Sequence, residues 1–146
     1  MSTEQNKAIV RRLVQEVWNG RNLAALEELV DPNFTHLNPP YGVAPDRDGI
    51  KQLVEMFNVA FPDHHTAIED LIAEGEKVAA QLSRSGTHEG EFLGIPPTGK
   101  QVKYSLLAVY RITGEKLISC QYMAHDLDLL KQLGVITEHQ KNGHWA

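Results

Sequence analysis

Five histidines of this 146-residue sequence fall in predicted loops or at the ends of predicted strands: His36, His64, His65, His88 and His125. Imidazole titrates closest to physiological pH, so histidine commonly serves as an acid–base group or a metal ligand. Loop positions can also bring side chains from distant segments to one site. A polar loop residue is often only solvated, however. These histidines are therefore candidates whose role depends on whether they converge.

His125 and Asp126 are the best local candidates, because they lie where the last predicted strand passes into the last predicted helix. Strand alternation predicts two opposite faces at this point. One face carries Leu117, Ser119, Gln121, Met123 and His125, and the other carries Ile118, Cys120, Tyr122, Ala124 and Asp126. Only one face can point inward, which leaves both residues open. We predict His125 as the catalytic acid–base group because imidazole titrates near neutral pH, with Asp126 as its alternate if the register is one residue off. A helix-capping role would also explain Asp126.

A second candidate segment is FTHLNPP, which contains His36 and Asn38. If this proline-rich loop covers the mouth of a pocket, His36 is a catalytic candidate and the Asn38 amide can polarise a carbonyl oxygen. An ordinary turn role for an asparagine before two prolines is the alternative.

Further polar and aromatic residues are predicted to line the same pocket. The substrate-binding candidates are Tyr41, His65, His88, Tyr104, Gln121 and Met123. Aromatic residues are often simply core, and His88 could instead hold its own loop in place. An apolar, aromatic-rich lining suits a flat, small hydrophobic molecule.

The sequence lacks the common metal and nucleotide motifs. It has no HExxH pattern, no cysteine pair, and no glycine motif of the GxGxxG or GxxxxGK[ST] type. We therefore expect no metal and no cofactor.

Composition and charge exclude several classes of function. The net charge of −5 argues against a nucleic-acid partner. The sequence also lacks an apolar run long enough to span a membrane, and its N-terminus does not resemble a signal peptide. Its single cysteine, Cys120, excludes an internal disulfide and fits a reducing compartment, so we expect a cytoplasmic protein.

The elements that must position these residues follow from hydrophobic periodicity. Helical spacing predicts helices over 2–18, 22–29, 48–61 and 126–134, and alternation predicts strands over 34–36, 66–72, 77–87, 101–112 and 115–124. Helices that precede an antiparallel meander indicate an α+β class. We predict one domain over residues 1–136 and a polar tail at 137–146. The convex face of a curved sheet would be left apolar, which favours a two-fold homodimer.

The connection between the two long strands reads GTHEGEFLGIPPTGK, and its apolar residues Phe92, Leu93 and Ile95 predict that it folds back onto the body. Together with FPDHHTAIEDLIAEGEKVAA before it and DLDLLKQLG after it, this stretch resembles the SnoaL-like polyketide cyclase (ester cyclase) family of the nuclear-transport-factor-2-like fold. The resemblance runs from His36 to Gly134. It implies a cone-shaped, curved antiparallel sheet packed against three N-terminal helices, a cystatin-like roll.

The resemblance also implies a reaction, an intramolecular aldol-type ring closure by general acid–base catalysis. Family members carry an acid–base aspartate in a WxxxD pattern. An ungapped match on DLLKQLG places that aspartate at His125 and the tryptophan at Gln121, so this chain departs from the pattern twice. We therefore widen the hypothesis to a lyase, isomerase or hydrolase acting on an apolar carbonyl substrate. The alternatives are a non-catalytic ligand-binding protein and a dimeric adaptor.

Overall fold

The N-terminal helix lies across the sheet and supplies much of the core. In the computed structural model, which describes residues 2–136, helix α1 spans Thr3–Arg12 and continues as a π-helical segment over Leu13–Asn19. A capping box starts the helix, because the Ser2 hydroxyl accepts from the Gln5 N–H and the Gln5 side chain accepts from the Ser2 N–H. Its apolar stripe is buried: Ile9, Val10, Leu13, Val14 and Val17.

Three more helices complete the helical layer. A 3-10 turn over Leu23–Ala25 leads into the short α2 at Leu26–Leu29. Helix α3 spans Arg47–Ala60, where the Asp46 side chain caps the first turn by accepting from the Gly49 N–H, and α4 spans Asp126–Gln132. No helix within residues 2–136 has the length and apolar character needed to cross a membrane.

Five strands form one curved sheet: β1 Val30–His36, β2 His65–Glu74, β3 Lys77–Thr87, β4 Gln101–Thr113 and β5 Lys116–Ala124. Their order across the sheet is β1-β5-β4-β3-β2, and β2 to β5 pair antiparallel as predicted. Strand β1 pairs with β5 in parallel. The α+β class is therefore confirmed, with the correction that the sheet is mixed at one edge.

The concave face of the sheet carries the core and faces the helices. In β4 every second residue is buried: Val102, Tyr104, Leu106, Ala108, Tyr110 and Ile112. In β3 the same alternation buries Val78, Ala80 and Leu82 and then reaches Arg84. The opposite, outer face exposes Leu107 and Met123. The predicted alternation of these long strands is confirmed.

Strand β5 departs from simple alternation at its start. Leu117 pairs with Ile112 and Ser119 pairs with Arg111, so Ile118 is an extra residue that bulges from the ladder. As a result, Leu117 and Cys120 are both buried although the predicted faces separate them. Beyond the bulge the alternation resumes, with Gln121 and Met123 on the outer face.

The glycine-rich connection between β3 and β4 folds back onto the body, as predicted. Phe92 is buried against Tyr41, Phe57 and Phe61, whereas Leu93 at the tip is 48% exposed. Two backbone hydrogen bonds join His88 to Lys100 and Gly99 and close the base of the loop. The predicted tail at 137–146 lies outside the described residues and stays a prediction, as does the single domain over 1–136.

Candidate functional site

A small cavity lies between the concave face of the sheet and the helices. Its volume is about 40 Å³, room for about three water molecules at roughly 10–15 Å³ each. The apolar part of its lining comes from Leu13, Val14, Trp18, Ile50, Leu53, Leu82, Leu106 and Leu117. Its polar part comes from His36, Thr66, Arg84, Tyr110, Cys120 and Tyr122. The interior thus combines an apolar wall with a few polar groups, as small-molecule sites do.

Arg84 is the charged residue of this lining, and the sequence analysis missed it. Its side chain is buried, with the guanidinium carbon 3.9 Å from the centroid of the Trp18 ring and 4.7 Å from that of Phe57. Its Nε donates a 3.2 Å hydrogen bond to the Thr66 hydroxyl. The signal was present in the sequence, because Arg84 is the next residue in the alternation that starts at Val78.

His36 is the one predicted histidine that lines the cavity. Its Nδ1 accepts a 3.1 Å hydrogen bond from the Asn38 N–H, which assigns the proton of the neutral ring to Nε2. Burial lowers the pKa of His36 and favours this neutral form. The Nε2 atom is buried and has no partner within residues 2–136. It is therefore a hydrogen-bond donor available to a ligand.

Tyr41 and Asp126 form a close pair that does not line the cavity but lies near Tyr104 and Tyr122. The Tyr41 hydroxyl donates to Asp126 Oδ1 at 2.6 Å. The pKa of Tyr41 is raised by burial, then by this hydrogen bond, and further by the proximity of Tyr104 and Tyr122. Tyr41 consequently stays protonated and keeps donating to the carboxylate. Tyr122 in turn lines the cavity, so it connects the pair to the interior.

The hydroxyls of Tyr104 and Tyr122 add two more polar atoms on the concave side. Both are buried. The Tyr122 hydroxyl has no hydrogen-bond partner among the described residues, and the Tyr104 hydroxyl has the Arg84 guanidinium nearby as a donor. Burial raises the pKa of each phenol, so both remain protonated. They are hydrogen-bond donors without an acceptor in the part of the chain that is described.

His125 does not point toward the cavity. It is exposed and borders a groove on the outer face with Leu107 and Met123, while its backbone N–H donates to the Ser105 carbonyl. Asp126, the predicted alternate, is the one that reaches Tyr41. Beyond its bulge, β5 turns Gln121, Met123 and His125 outward, so His125 lies on the face opposite the cavity. Its catalytic role stays a prediction.

Four predicted substrate-binding residues also lie away from the cavity. Gln121 and Met123 are exposed on the outer face, with Met123 at 77% exposure. His65 is exposed at the start of β2, where its neighbour Thr66 takes the inward position. The structure therefore does not bring these residues to the predicted pocket.

His88 is the fourth of these residues, and it is buried inside its own loop. Its Nδ1 accepts from the Thr98 N–H at 3.2 Å and lies 3.0 Å from the Thr98 hydroxyl. The ring also packs on Phe61, with 5.4 Å between centroids. The structure thus gives His88 the loop-holding role that the sequence analysis left open.

Asn38 contacts the backbone rather than the cavity. Its side-chain amide donates to the Tyr122 carbonyl at 2.8 Å, and its Oδ1 accepts from the Tyr122 N–H at 3.1 Å. These bonds extend the pairing of β1 with β5 by one residue. The side chain of Asn38 thus holds the Tyr122 backbone, and its backbone N–H holds the His36 ring. The side chain does not line the cavity.

The described residues contain no cluster suited to a metal ion. Within 2–136, no three side chains of His, Cys, Asp or Glu lie close enough together to coordinate one. Cys120 lines the cavity as a free thiol, and burial raises its pKa to about 12. It stays protonated near neutral pH and is a poor nucleophile.

The chain is similar to one sequence family and to several solved structures. The sequence model of the SnoaL-like polyketide cyclase family matches residues 8–133. A candidate polyketide cyclase from Acidithiobacillus ferrooxidans is 30% identical, with a TM-score of 0.79 over 94% of this chain and 100% of its own. The candidate hydroxylase AclR from Streptomyces galilaeus is 27% identical, with a TM-score of 0.82 over 94% and 85% of the two chains. The candidate polyketide cyclase IdmH from Streptomyces antibioticus is also 27% identical, with a TM-score of 0.79 over 89% and 99%. No curated protein matches the chain.

Proposed function

Because the chain belongs to the SnoaL-like polyketide cyclase family, we propose that it catalyses a cofactor-independent acid–base reaction on a small carbonyl compound. The reaction type is an aldol-type ring closure or a related isomerisation, lyase or hydrolytic step. Each of these needs a base that removes an acidic proton and donors that hold the developing oxyanion.

Asp126 is the proposed base, and the Tyr41–Asp126 hydrogen bond is the observation that carries the proposal. A carboxylate held by a phenol at 2.6 Å is fixed in one orientation beside the cavity. A positioned base of this kind contributes about 10²–10⁴-fold to a rate. His125 remains the competing prediction, but its exposed outer position would require a substrate on the opposite face.

The oxyanion donors are proposed to be the groups without acceptors on the concave side. His36 offers its Nε2–H, and Tyr104 and Tyr122 offer hydroxyls. All three are buried, where a hydrogen bond to a developing charge is stronger than in water. Tyr104 acts electrostatically on Asp126, Tyr122 acts on Tyr41, and the His36 ring contacts Tyr122. These contacts support proton abstraction next to a carbonyl whose oxygen is held by this set of donors.

Proton exchange in D₂O tests the proposal without knowledge of the natural substrate. The probes are butanone and phenylacetone, and NMR measures the loss of protons next to the carbonyl. Asp126→Asn should lower the enzyme-dependent exchange rate at least about 10²-fold with probe affinity roughly kept. His125→Asn is the matched control and should change the rate less than about twofold. A large loss of exchange in His125→Asn with little change in Asp126→Asn would reject Asp126 as the base and favour His125.

A second candidate function is a binding protein or dimeric adaptor without turnover. The observation that favours it is the small cavity, about 40 Å³, which is too narrow for a polycyclic molecule unless the helices move. Wild-type protein that binds phenylacetone but gives no exchange above the Asp126→Asn level would support this candidate.

We also propose a homodimer formed through the outer face of the sheet. Leu107 and Met123 are 59% and 77% exposed there, and large exposed apolar patches mark contact surfaces. The double change Leu107→Lys with Met123→Lys should convert a dimer to a monomer in sedimentation velocity. Leu93→Lys, at the exposed loop tip, is the control and should leave the mass unchanged.

A cytoplasmic location is proposed as well. The single cysteine is a buried free thiol, so the fold uses no internal disulfide and gains nothing from an oxidising compartment. Fractionation of cells that express a tagged chain tests this proposal.

A further inference from the structure

Arg84 is a buried cation whose charge is not balanced by a neighbouring carboxylate. Its side chain is only 5% exposed, and no Asp or Glu oxygen within residues 2–136 forms an ion pair with it. Buried charges in proteins are ordinarily paired or neutralised, and arginine cannot lose its proton. The Trp18 and Phe57 rings stabilise the cation in part. They do not replace an anion.

The neighbours of Arg84 are neutral groups. Its Nε donates to the Thr66 hydroxyl, and its guanidinium also lies close enough to the Tyr104 hydroxyl to act on the pKa of that phenol, but no carboxylate of the described residues takes its remaining N–H groups. Two parallel Nη–H groups match the two oxygens of a carboxylate, which is the usual bidentate partner of a guanidinium.

The rest of the cavity is also suited to negative charge. No aspartate or glutamate lines it, and the buried Nε2 of His36 and hydroxyl of Tyr122 are donors without acceptors. The volume of about 40 Å³ admits the three heavy atoms of a carboxylate. A phosphate or sulfate also pairs with a guanidinium, but the whole tetrahedral group of five heavy atoms would have to enter, whereas an oxo acid needs to place only its three-atom carboxylate against Arg84.

We propose that Arg84 is the anchor of a carboxylate-binding subsite, so that the substrate is a small oxo acid and not a neutral ester. This inference rests on the proposed function for the reaction and adds the substrate class to it. The carboxylate lies against the Arg84 fork, and the carbonyl that reacts lies toward Tyr122 and the Tyr41–Asp126 pair.

Binding of pyruvate and its neutral counterpart methyl pyruvate, measured by calorimetry, tests the subsite. Wild-type protein should bind pyruvate at least tenfold more tightly than methyl pyruvate. Arg84→Met should weaken pyruvate binding about 10- to 100-fold and remove the preference. Arg111→Met, which removes an exposed arginine on the outer face, is the matched control and should change neither affinity. Undetectable pyruvate binding, or an unchanged preference in Arg84→Met, would overturn the proposal.

Thermal unfolding separates a ligand anchor from a purely structural arginine. Pyruvate should raise the Tm of wild-type protein and not that of Arg84→Met, and without ligand the variant should unfold at the wild-type temperature or above it. A large fall in the Tm of ligand-free Arg84→Met would mean that Arg84 serves to stabilise the fold through its contacts with the Trp18 and Phe57 rings, and not to bind a ligand. If Arg84→Met does not fold, Arg84→Lys keeps the charge but loses the fork, and its pyruvate affinity should fall while a preference over methyl pyruvate remains.

The same titration on Asp126→Asn distinguishes failure of this inference from failure of the proposed function. Asp126 does not contact Arg84 through an ion pair, so this variant should bind pyruvate as wild type does. Intact pyruvate binding with unaltered exchange activity contradicts the proposed base and leaves the subsite standing. No preference for pyruvate in the wild-type protein, together with lost exchange activity in Asp126→Asn, contradicts the subsite and leaves the proposed base standing.

Discussion

The Tyr41 hydroxyl donates to Asp126 Oδ1 across 85 positions of sequence, joining the proline-rich loop after β1 to the first turn of α4. Tyr41 adopts a left-handed backbone with a φ of 54°, which is uncommon for a residue with a bulky side chain. Its ring contacts Phe57 and Phe92. The loop is therefore held by both a polar contact and an aromatic one, and this geometry brings the phenol to the carboxylate.

Tyr41→Phe should lower the free energy of unfolding by about 1.5–3 kcal/mol, the range for a hydrogen bond to a charged group. The substitution keeps the ring contacts and removes only the donor. Urea denaturation measures the change. Tyr122→Phe is the control, because its hydroxyl has no partner within the described residues, and its loss should cost less than about 0.5 kcal/mol. Equal losses in the two variants would contradict the importance of the pair.

His64 should make the protein less stable in mild acid. Burial, then the charges of Arg21 and Arg84, lower its pKa to about 4, with Asp63 acting in the opposite sense. Its Nε2 donates to Asn58 Oδ1 at 2.6 Å, so a second proton would enter at Nδ1, which is buried without a partner. Above the unfolded pKa near 6.5 the ring is neutral in both states.

As the pH falls from about 6.5 to about 4, the unfolded chain binds a proton that the folded protein does not. The free energy of unfolding should therefore fall by about 3.5 kcal/mol, at roughly 1.4 kcal/mol per pKa unit. Urea unfolding at a series of pH values measures this slope. His64→Gln keeps a donor for Asn58 and should flatten most of it, while the exposed control His65→Gln should not. An unchanged slope in His64→Gln would assign the acid sensitivity to other groups, such as His36.

His88→Ala should destabilise the loop between β3 and β4. The variant leaves the Thr98 N–H without its acceptor and opens a space beside Phe61, so we expect a loss of about 2–4 kcal/mol. Urea denaturation measures the loss, and limited proteolysis should show earlier cleavage near Leu93. His65→Ala, at an exposed position, is the control and should change the free energy of unfolding by less than about 0.5 kcal/mol. Similar values for the two variants would mean that His88 does not hold the loop.

The long strands and the packed loop could be predicted from sequence because their signals are local. Alternation in β4 runs without interruption from Val102 to Ile112, and Phe92 stands out as an apolar residue among glycines and prolines. Both patterns arise because each segment buries some side chains against the core and exposes the others to solvent. The fold class was correct for the same reason, and the family resemblance was correct because its motifs are continuous stretches of sequence.

The site was harder to predict because it depends on one bulge and on contacts far apart in sequence. The extra residue Ile118 shifts which face of β5 turns inward, and alternation alone does not locate a bulge. The Tyr41–Asp126 contact has no local sequence signal at all. Arg84 could have been found by extending the β3 alternation past Leu82, which would have placed a charge among core positions.

Gly90→Ala should displace the loop from the end of α3. A Cβ built at Gly90 would lie 2.1 Å from the Val59 carbonyl oxygen, and the Gly90 N–H donates to the Ala60 carbonyl. The atoms that the new Cβ would meet belong to the backbone, so no flexible side chain can move aside. We expect the free energy of unfolding, measured by urea denaturation, to fall by at least about 1–3 kcal/mol.

Gly94→Ala is the matched control for Gly90→Ala, since Gly94 has a φ of 81° but nothing within 4 Å of its Cβ direction. Gly94→Ala should lower the free energy of unfolding only by the strain of an alanine in the left-handed region, about 1 kcal/mol. Because Phe92 in the same loop contacts Tyr41, Gly90→Ala should also lower the exchange rate of phenylacetone, whereas Gly94→Ala should not. Equal stability losses would show that strain at a glycine, and not the close approach to α3, determines the loop. An unchanged rate in Gly90→Ala would show that the position of Tyr41 does not depend on that approach.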